Sequence, residues 1–458
     1  MIARTMSVTR RWIGALSPAG GDALLYAAAA VFAALTLVIS SIPLYRQWAQ
    51  LSVIPYVAGA VGSLLIARYR RLGRQRRDDG NTKGAAASFK SNRLPAALVW
   101  IRSARAWMFV GVLIGATLLP LSLEVMWRSE GNPSLHVQPE VVVVERAAHR
   151  AANHQDPYQV VVRDGRVVAS LPGLPKYETF YPYLPLMTVF GLPSSTKAPI
   201  KLTDARIFFS LVTLAVTAAA LCICRSNRER KVRTLQVLSV LPTAALPLAT
   251  GGDDMPVVAL LLLAIVLAQR RRPGWSGIVF GVVAAMKFTA WPLAGLALFA
   301  ARDKDGRRTP IRMGVGIACV LGPILVPFVV GAPRAFFENV VLYPLGLAGV
   351  SSPAASPLPG HLLVSALPFL HRPLTVVVIG LGGALLLVRL VRHTPTSVSQ
   401  CSYLAGWVMT AAILLAPATR FGYLLYPVNF FMWGYLLSED ANKVGQDTSR
   451  LSAELAYP

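Results

Sequence analysis

Residues suited to chemistry are few in this chain of 458 amino acids, because 54% of it is hydrophobic and only 14% is charged. One polar stretch, His136 to Pro185, mixes acids, histidines and tyrosines over a long interval: HVQPEVVVVERAAHRAANHQDPYQVVVRDGRVVASLPGLPKYETFYPYLP. Its central acid is Glu140, which follows Pro139 and precedes Val141 to Val144, with a helix-like pattern setting in at Glu145. A carboxylate at a helix start is held as the anion by the helix dipole, and that anion can take a proton from an incoming hydroxyl. The same position also suits a solvated or helix-capping glutamate.

Two cations stand in apolar surroundings. Lys287 lies inside GVVAAMKFTAWPL, Gly281 to Leu293, where a desolvated ammonium needs an anion or a short route to the interface. Asp253 and Asp254, on a Gly-Gly turn, could pair with it, meet a substrate hydroxyl, or cap the next helix. Arg420, within PATRFGY, sits between two apolar spans and suits either a bound anion or a carboxylate of the polar stretch. Tyr181 and Tyr183 read as interfacial anchors or as stacking surfaces. The histidines lack i, i+4 pairing. The cysteines Cys222, Cys224, Cys319 and Cys401 lie in or beside apolar spans without zinc spacing, so neither a metal site nor a disulfide framework is expected.

The elements that must position these groups are membrane helices. A soluble chain would carry about a quarter charged residues. The net charge of +24 comes from short Lys/Arg runs between apolar segments, which reports orientation rather than a nucleic-acid partner. The expected order begins with residues 1–67, a tail and a hairpin of Ala23–Ile42 and Leu51–Ala67 turning around Tyr45 to Gln50. Its first helix reads as retained rather than as a cleaved signal peptide. Residues 68–105 follow as a flexible cytoplasmic linker holding eleven Lys or Arg against two Asp. Residues 106–437 are the core, with an external loop at 128–203, and 438–458 form a cytoplasmic tail. Within the core, Ser276 to Ala301 is flanked by basic residues on both sides. That predicts two half-depth helices broken near Lys287 to Pro292 around a cavity. About twelve crossings result, counting the half-helices separately, and no internal repeat is visible.

The stretch from Glu140 resembles the first external loop of polyprenyl-phosphate-sugar-dependent glycosyltransferases of the GT-C superfamily, most closely glycosyltransferase family 87. Glu140 takes the place of the family's acid, Val143 and Val144 that of its Val-Tyr pair, and Ala147 and Ala148 that of its Ala-Ala pair. Asp156, Pro157 and Tyr158 match its Asp-Pro-Tyr ending, with His154 in place of the glycine. Phe180 to Pro185 resembles its approach to the membrane, and Gly281 to Leu293 its Gly-x-x-x-Ala-x-Lys-x-Thr-x-x-Pro segment. Glu replaces the usual Asp at 140, and Val replaces Tyr at 144.

The resemblance implies an all-α, GT-C type multi-pass fold in a bacterial cytoplasmic membrane, with an active site facing outward. It implies an inverting transfer of mannose or arabinose from a polyprenyl-phosphate sugar to a glycolipid or polysaccharide acceptor. Glu140 is then the catalytic base, and Lys287 and Arg420 bind the donor phosphate. Asp156, Tyr158, Tyr181, Tyr183, Asp253 and Asp254 contact substrate. No nucleotide motif is present, and a monophosphate leaving group with two cationic contacts calls for no metal or other cofactor. A secondary transporter is the rival reading, since many spans, a broken helix and buried charges suit one too.

Overall fold

The computed structural model describes residues 17–80, 96–132, 135–158, 162–163, 166–167, 175–301, 308–348, 350 and 353–438. The α-helices of eight or more residues among the described ones are, in chain order, α1 (Pro18–Ile39), α2 (Pro43–Gly80), α3 (Ala96–Leu113), α4 (Leu119–Glu130), α5 (Pro139–Ala152), α6 (Ala205–Ile223), α7 (Arg228–Ser239) and α8 (Pro242–Thr250). They continue as α9 (Asp254–Gln269), α10 (Pro273–Ala284), α11 (Trp291–Ala300), α12 (Arg308–Gly331), α13 (Pro359–Ala366), α14 (His371–Arg392), α15 (Val398–Leu415) and α16 (Leu425–Leu436). Among the described residues the extended structure is one antiparallel pair of two-residue strands, Val162–Arg163 with Arg166–Val167, and an isolated bridge between Ala355 and Thr419.

Eight helices among the described residues are long and apolar enough to cross a membrane, and three shorter apolar ones accompany them. The protein is therefore a multi-pass helical membrane protein. Helices α12 and α14 leave most of their apolar side chains outside the protein's own packing, as helices facing hydrocarbon do.

Two compact units form. One is built from the described part of Met1–Glu124 together with Ser239–Thr250, and the other from Val125–Leu238 with the described part of Gly251–Pro458. In the first, α1 and α2 pair closely. The fully buried Trp48 donates its indole N–H to the Ala116 carbonyl at 3.0 Å, and the Tyr56 hydroxyl donates to that of Val240 at 2.6 Å. Arg105 pairs with the buried Asp22. Each is a polar group that hydrocarbon would leave unsatisfied.

Several boundaries differ from expectation. The turn placed at Tyr45 to Gln50 is helical, because Trp48 and Ala49 are buried; the chain reverses at residues 40–42 instead. The basic stretch expected as a flexible linker from residue 68 is helical to Gly80 and again from Ala96, and residues 81–95 lie outside the described residues. Helix α5 starts at Pro139 rather than Glu145: proline's fixed φ suits a first helical position, and Val141, Val143 and Val144 are buried. The long loop thus contains a helix, as well as a 3₁₀ run over Pro185–Ser195 that packs on α5.

The expected broken span is present. Helix α10 stops at Ala284, a 3₁₀ turn covers Phe288–Ala290, and α11 starts at Trp291 with Pro292 in its first turn. The Leu184 and Leu186 amides donate to the Met286 and Ala285 carbonyls at 3.0 Å each, satisfying backbone that the break frees.

Candidate active site

The site is built within the second unit from four pieces of chain: the start of α5, the turn before α9, the break between α10 and α11, and the segment before α16. Glu140, in the first turn of α5, forms an ion pair with Arg420. The arginine side chain is 33% exposed and the glutamate 18%, so the pair opens to solvent on the arginine side. Glu140 Oε2 is buried without a hydrogen-bond partner, as are Thr179 Oγ1 and the Tyr181 hydroxyl. Burial disfavours the guanidinium, but the Glu140 carboxylate outweighs it and holds Arg420 in its charged form.

Lys287 sits at the break. Its ammonium donates to Asp253 Oδ1 at 3.0 Å and Oδ2 at 3.2 Å, and also to Asp254 Oδ1. It lies 5.0 Å from the centre of the Tyr183 ring, within cation–π reach. The chain of contacts continues as Tyr426 Oη donates to Asp254 Oδ1 at 2.5 Å and Thr289 Oγ1 donates to Tyr426 Oη at 2.6 Å. Burial pushes the Asp253 carboxyl well above the usual carboxylate range despite the pull of Lys287, and the charges of Asp254 and Glu140 add to that push. Asp253 therefore shares an electrostatic environment with Glu140.

A tyrosine wall lines this region. The buried Tyr158, Tyr181 and Tyr183 pack in series, with ring centres 5.6 Å and 5.4 Å apart, and Tyr158 Oη donates to the Tyr183 carbonyl at 3.0 Å. The Tyr181 amide donates to Asn339 Oδ1 at 2.7 Å. At 2% and 5% exposure, Tyr181 and Tyr183 are not anchors at a lipid interface. Asp156 stands apart: its carboxylate accepts from the Tyr158 amide at 2.9 Å, and its carbonyl from Arg150 Nε at 2.7 Å.

The sequence reading missed Tyr177, Tyr343 and Tyr423. Burial raises the pKa of all three hydroxyls, and each also responds to the charges of Glu140 and Arg420. Tyr343 stacks on Phe180 at 4.5 Å. Tyr423 and Tyr426 lie three residues apart just after Arg420, a helical spacing that could have flagged them as a pair; Tyr343 lies in a turn without such a signal.

A second charge cluster fixes α5. Arg128 donates to Glu145 Oε1 at 3.0 Å, to Glu145 Oε2 at 2.7 Å and to Asp204 Oδ2 at 2.7 Å. Arg206 grips Asp204 through Nε at 2.9 Å and Nη2 at 2.8 Å, and donates through Nη1 to the His136 carbonyl at 2.7 Å. Glu140 is thus bracketed by clamps at His136 and Glu145. Gly251 passes over the same helix start with φ of 118°, a conformation that favours glycine, and a Cβ there would strike Val141.

Residues 181–417 match the model of glycosyltransferase family 87. The chain belongs to that family. It is a membrane glycosyltransferase, which sets aside the transporter reading. The matched span holds Tyr181, Tyr183, Asp253, Asp254 and Lys287; Glu140, Asp156 and Tyr158 precede it, and Arg420 follows it. No curated protein and no solved structure matches this glycosyltransferase. Among its described residues, no group of three or more His, Cys, Asp or Glu side chains is disposed to hold a metal ion.

Proposed function

We propose that this glycosyltransferase moves mannose or arabinose from a polyprenyl-phosphate donor to a hydroxyl of a glycolipid or polysaccharide, on the outer face of a bacterial cytoplasmic membrane. The observation that carries the reading is the pairing of Glu140 with Arg420 across a sequence separation of 280. It sets a carboxylate with one unpartnered oxygen beside a partly exposed guanidinium.

In the reaction, Glu140 accepts the proton of the acceptor hydroxyl. The hydroxyl oxygen bonds to the anomeric carbon from the face opposite the phosphate, and that carbon inverts. The bond from carbon to phosphate oxygen breaks, and its electron pair stays on the phosphate. Arg420 and Lys287 meet the charge that develops there, which is where preorganised cations lower a barrier most. Lys287 spends its three N–H donors on three oxygens of Asp253 and Asp254, so it meets a phosphate oxygen by releasing one of the two Asp253 oxygens while Asp254 continues to aim it. Asp253 and Asp254 hold it in place, Tyr183 offers an aromatic face, and Asp156 and Tyr158 act one step back by fixing the Tyr183 segment.

The test is transfer from radiolabelled polyprenyl-phosphate mannose or arabinose in membranes containing equal amounts of wild type and Glu140→Gln. Loss of a general base lowers the rate by about 10²–10⁴-fold. Unchanged transfer by the variant removes Glu140 from this role.

A further inference from the structure

The charges that meet at this site do not balance. Three carboxylates, Glu140, Asp253 and Asp254, face two cations, Lys287 and Arg420, and both cations are already engaged. With all five ionised the cluster carries one net negative charge. On the reading above, the donor is a phosphodiester, which brings a second. Two excess negative charges in a largely buried site are costly, because low dielectric strengthens their repulsion.

We infer that the donor binds together with one proton, and that the proton resides on Asp253. The inference rests on the polyprenyl-phosphate reading and adds to it a residue that works in its acid form.

Geometry selects Asp253 among the three acids. Asp254 Oδ1 accepts from both Lys287 and the Tyr426 hydroxyl, so its anion is supported twice. Glu140 has a guanidinium to itself and must stay ionised to act as a base. Asp253 has only the shared ammonium, at 3.0 and 3.2 Å, and its side chain is 4% exposed. The least supported and most buried carboxylate is the one that gains most from a proton. Once protonated it becomes an O–H donor and suits a phosphate oxygen.

The other groups around Asp253 do not compete. Lys287 from the helix break, Asp254 from α9 and Glu140 from α5 have been counted. Tyr181, Tyr183, Tyr423 and Tyr426 are buried phenols, neutral near pH 7. Arg206, packed beneath the Gly251 turn, is taken up by Asp204. Burial already pushes the Asp253 carboxyl upward before any donor arrives, in the direction the inference needs.

The sign follows from linkage. Where Asp253 is protonated in the free protein, donor affinity is at its maximum. As pH rises through its titration, binding must recruit the proton, and Kd weakens by up to about tenfold per pH unit.

The test uses the full-length protein in nanodiscs of uncharged lipid, with a short-chain polyprenyl-phosphate mannose and its arabinose counterpart as probes. Both are phosphodiesters that do not titrate in this range. Kd is measured from about pH 5.5 to 9, and binding heat is measured in two buffers of different ionisation enthalpy. The expected result is a Kd that weakens as pH rises and uptake of about one proton. Asp253→Asn should bind as tightly as the wild type does at low pH, without the pH dependence, while Asp254→Asn, which removes one of the charges that push Asp253 upward, should keep the dependence but move it to lower pH. Proton uptake by the wild type needs no variant, so a misfolded Asp253→Asn leaves that arm intact.

Binding without proton uptake, a slope that survives in Asp253→Asn, or binding that requires a divalent cation instead would each overturn the inference and leave the donor reading standing. No binding of either probe by folded protein at any pH would overturn the donor reading and the inference with it.

Discussion

Helix α5 carries Glu140, so the strength of its anchor can be tested without touching the site. The perturbation is Arg128→Met. Arg128 gives Glu145 two hydrogen bonds, and without them Glu145 keeps only the Ala205 amide at 3.0 Å. Asp204 loses one bond but retains Arg206 and its own helix-capping bond from the Arg206 amide. The orphan is therefore the Glu145 charge, whose side chain is 13% exposed. Breaking a buried pair on one side costs about 3–5 kcal/mol, and residual solvent at Glu145 places this case near about 3. Removing the stranded charge as well, in Arg128→Met with Glu145→Gln, keeps an acceptor for the Ala205 amide and should recover at least about 1.5 kcal/mol of the sum of the single costs. Equilibrium unfolding in mixed micelles, run as a double-mutant cycle, measures both quantities. A single variant costing under about 1 kcal/mol, or strictly additive effects, would refute the claim that this cluster clamps the helix.

Two further outcomes follow from the same geometry. Gly251→Ala puts a Cβ on a residue with φ of 118° and against Val141, next to Glu140, so it should cost about 1–3 kcal/mol and lower the transfer rate; stability and kcat equal to wild type would show that the turn does not bear on α5. Arg420→Met frees Glu140 but removes the exposed cation, so kcat should fall by about 10²–10³-fold and the donor KM should rise; initial rates against donor concentration decide it, and an unaltered kcat/KM would exclude Arg420 as a phosphate contact.

The sequence displayed the residues of the candidate site more fully than their wiring. Acids and cations in an apolar chain are conspicuous, and basic flanks on both sides of Ser276 to Ala301 located the helix break to within a few residues. For Lys287 and Arg420 the sequence left open both a bound anion and a partner carboxylate. Folding supplies the carboxylates: Asp253 and Asp254 for one, Glu140 for the other. The tyrosines were harder to read, because an aromatic beside a membrane segment looks the same whether it faces lipid or a cavity. Burial of Tyr181 and Tyr183 removed that ambiguity. The clamp was not legible at all, since Arg128, Glu145, Asp204 and Arg206 come together only through tertiary packing. Helix α5 was placed late because its start is a run of valines, residues whose preference for strands is overridden by burial on one helical face.

The two charge clusters of this unit are made of the same residue types, yet they differ in a way that separates support from chemistry. Around Arg128 and Arg206, two cations meet two carboxylates, and all four carboxylate oxygens accept hydrogen bonds. A largely buried ionic group has little water to draw on, so a purely structural cluster should close in both charge and hydrogen bonds. The cluster at the helix break closes in neither. It holds three carboxylates against two cations, and it leaves Glu140 Oε2 and the nearby Tyr181 hydroxyl without partners. Had this second cluster served only to join helices, nothing would offset the cost of its open valences. On the proposed reading, a glycosyl donor and an acceptor alcohol bring hydroxyls to the unpartnered oxygen and a phosphate to the partly exposed arginine, and the proton taken up on Asp253 keeps that phosphate from deepening the charge excess.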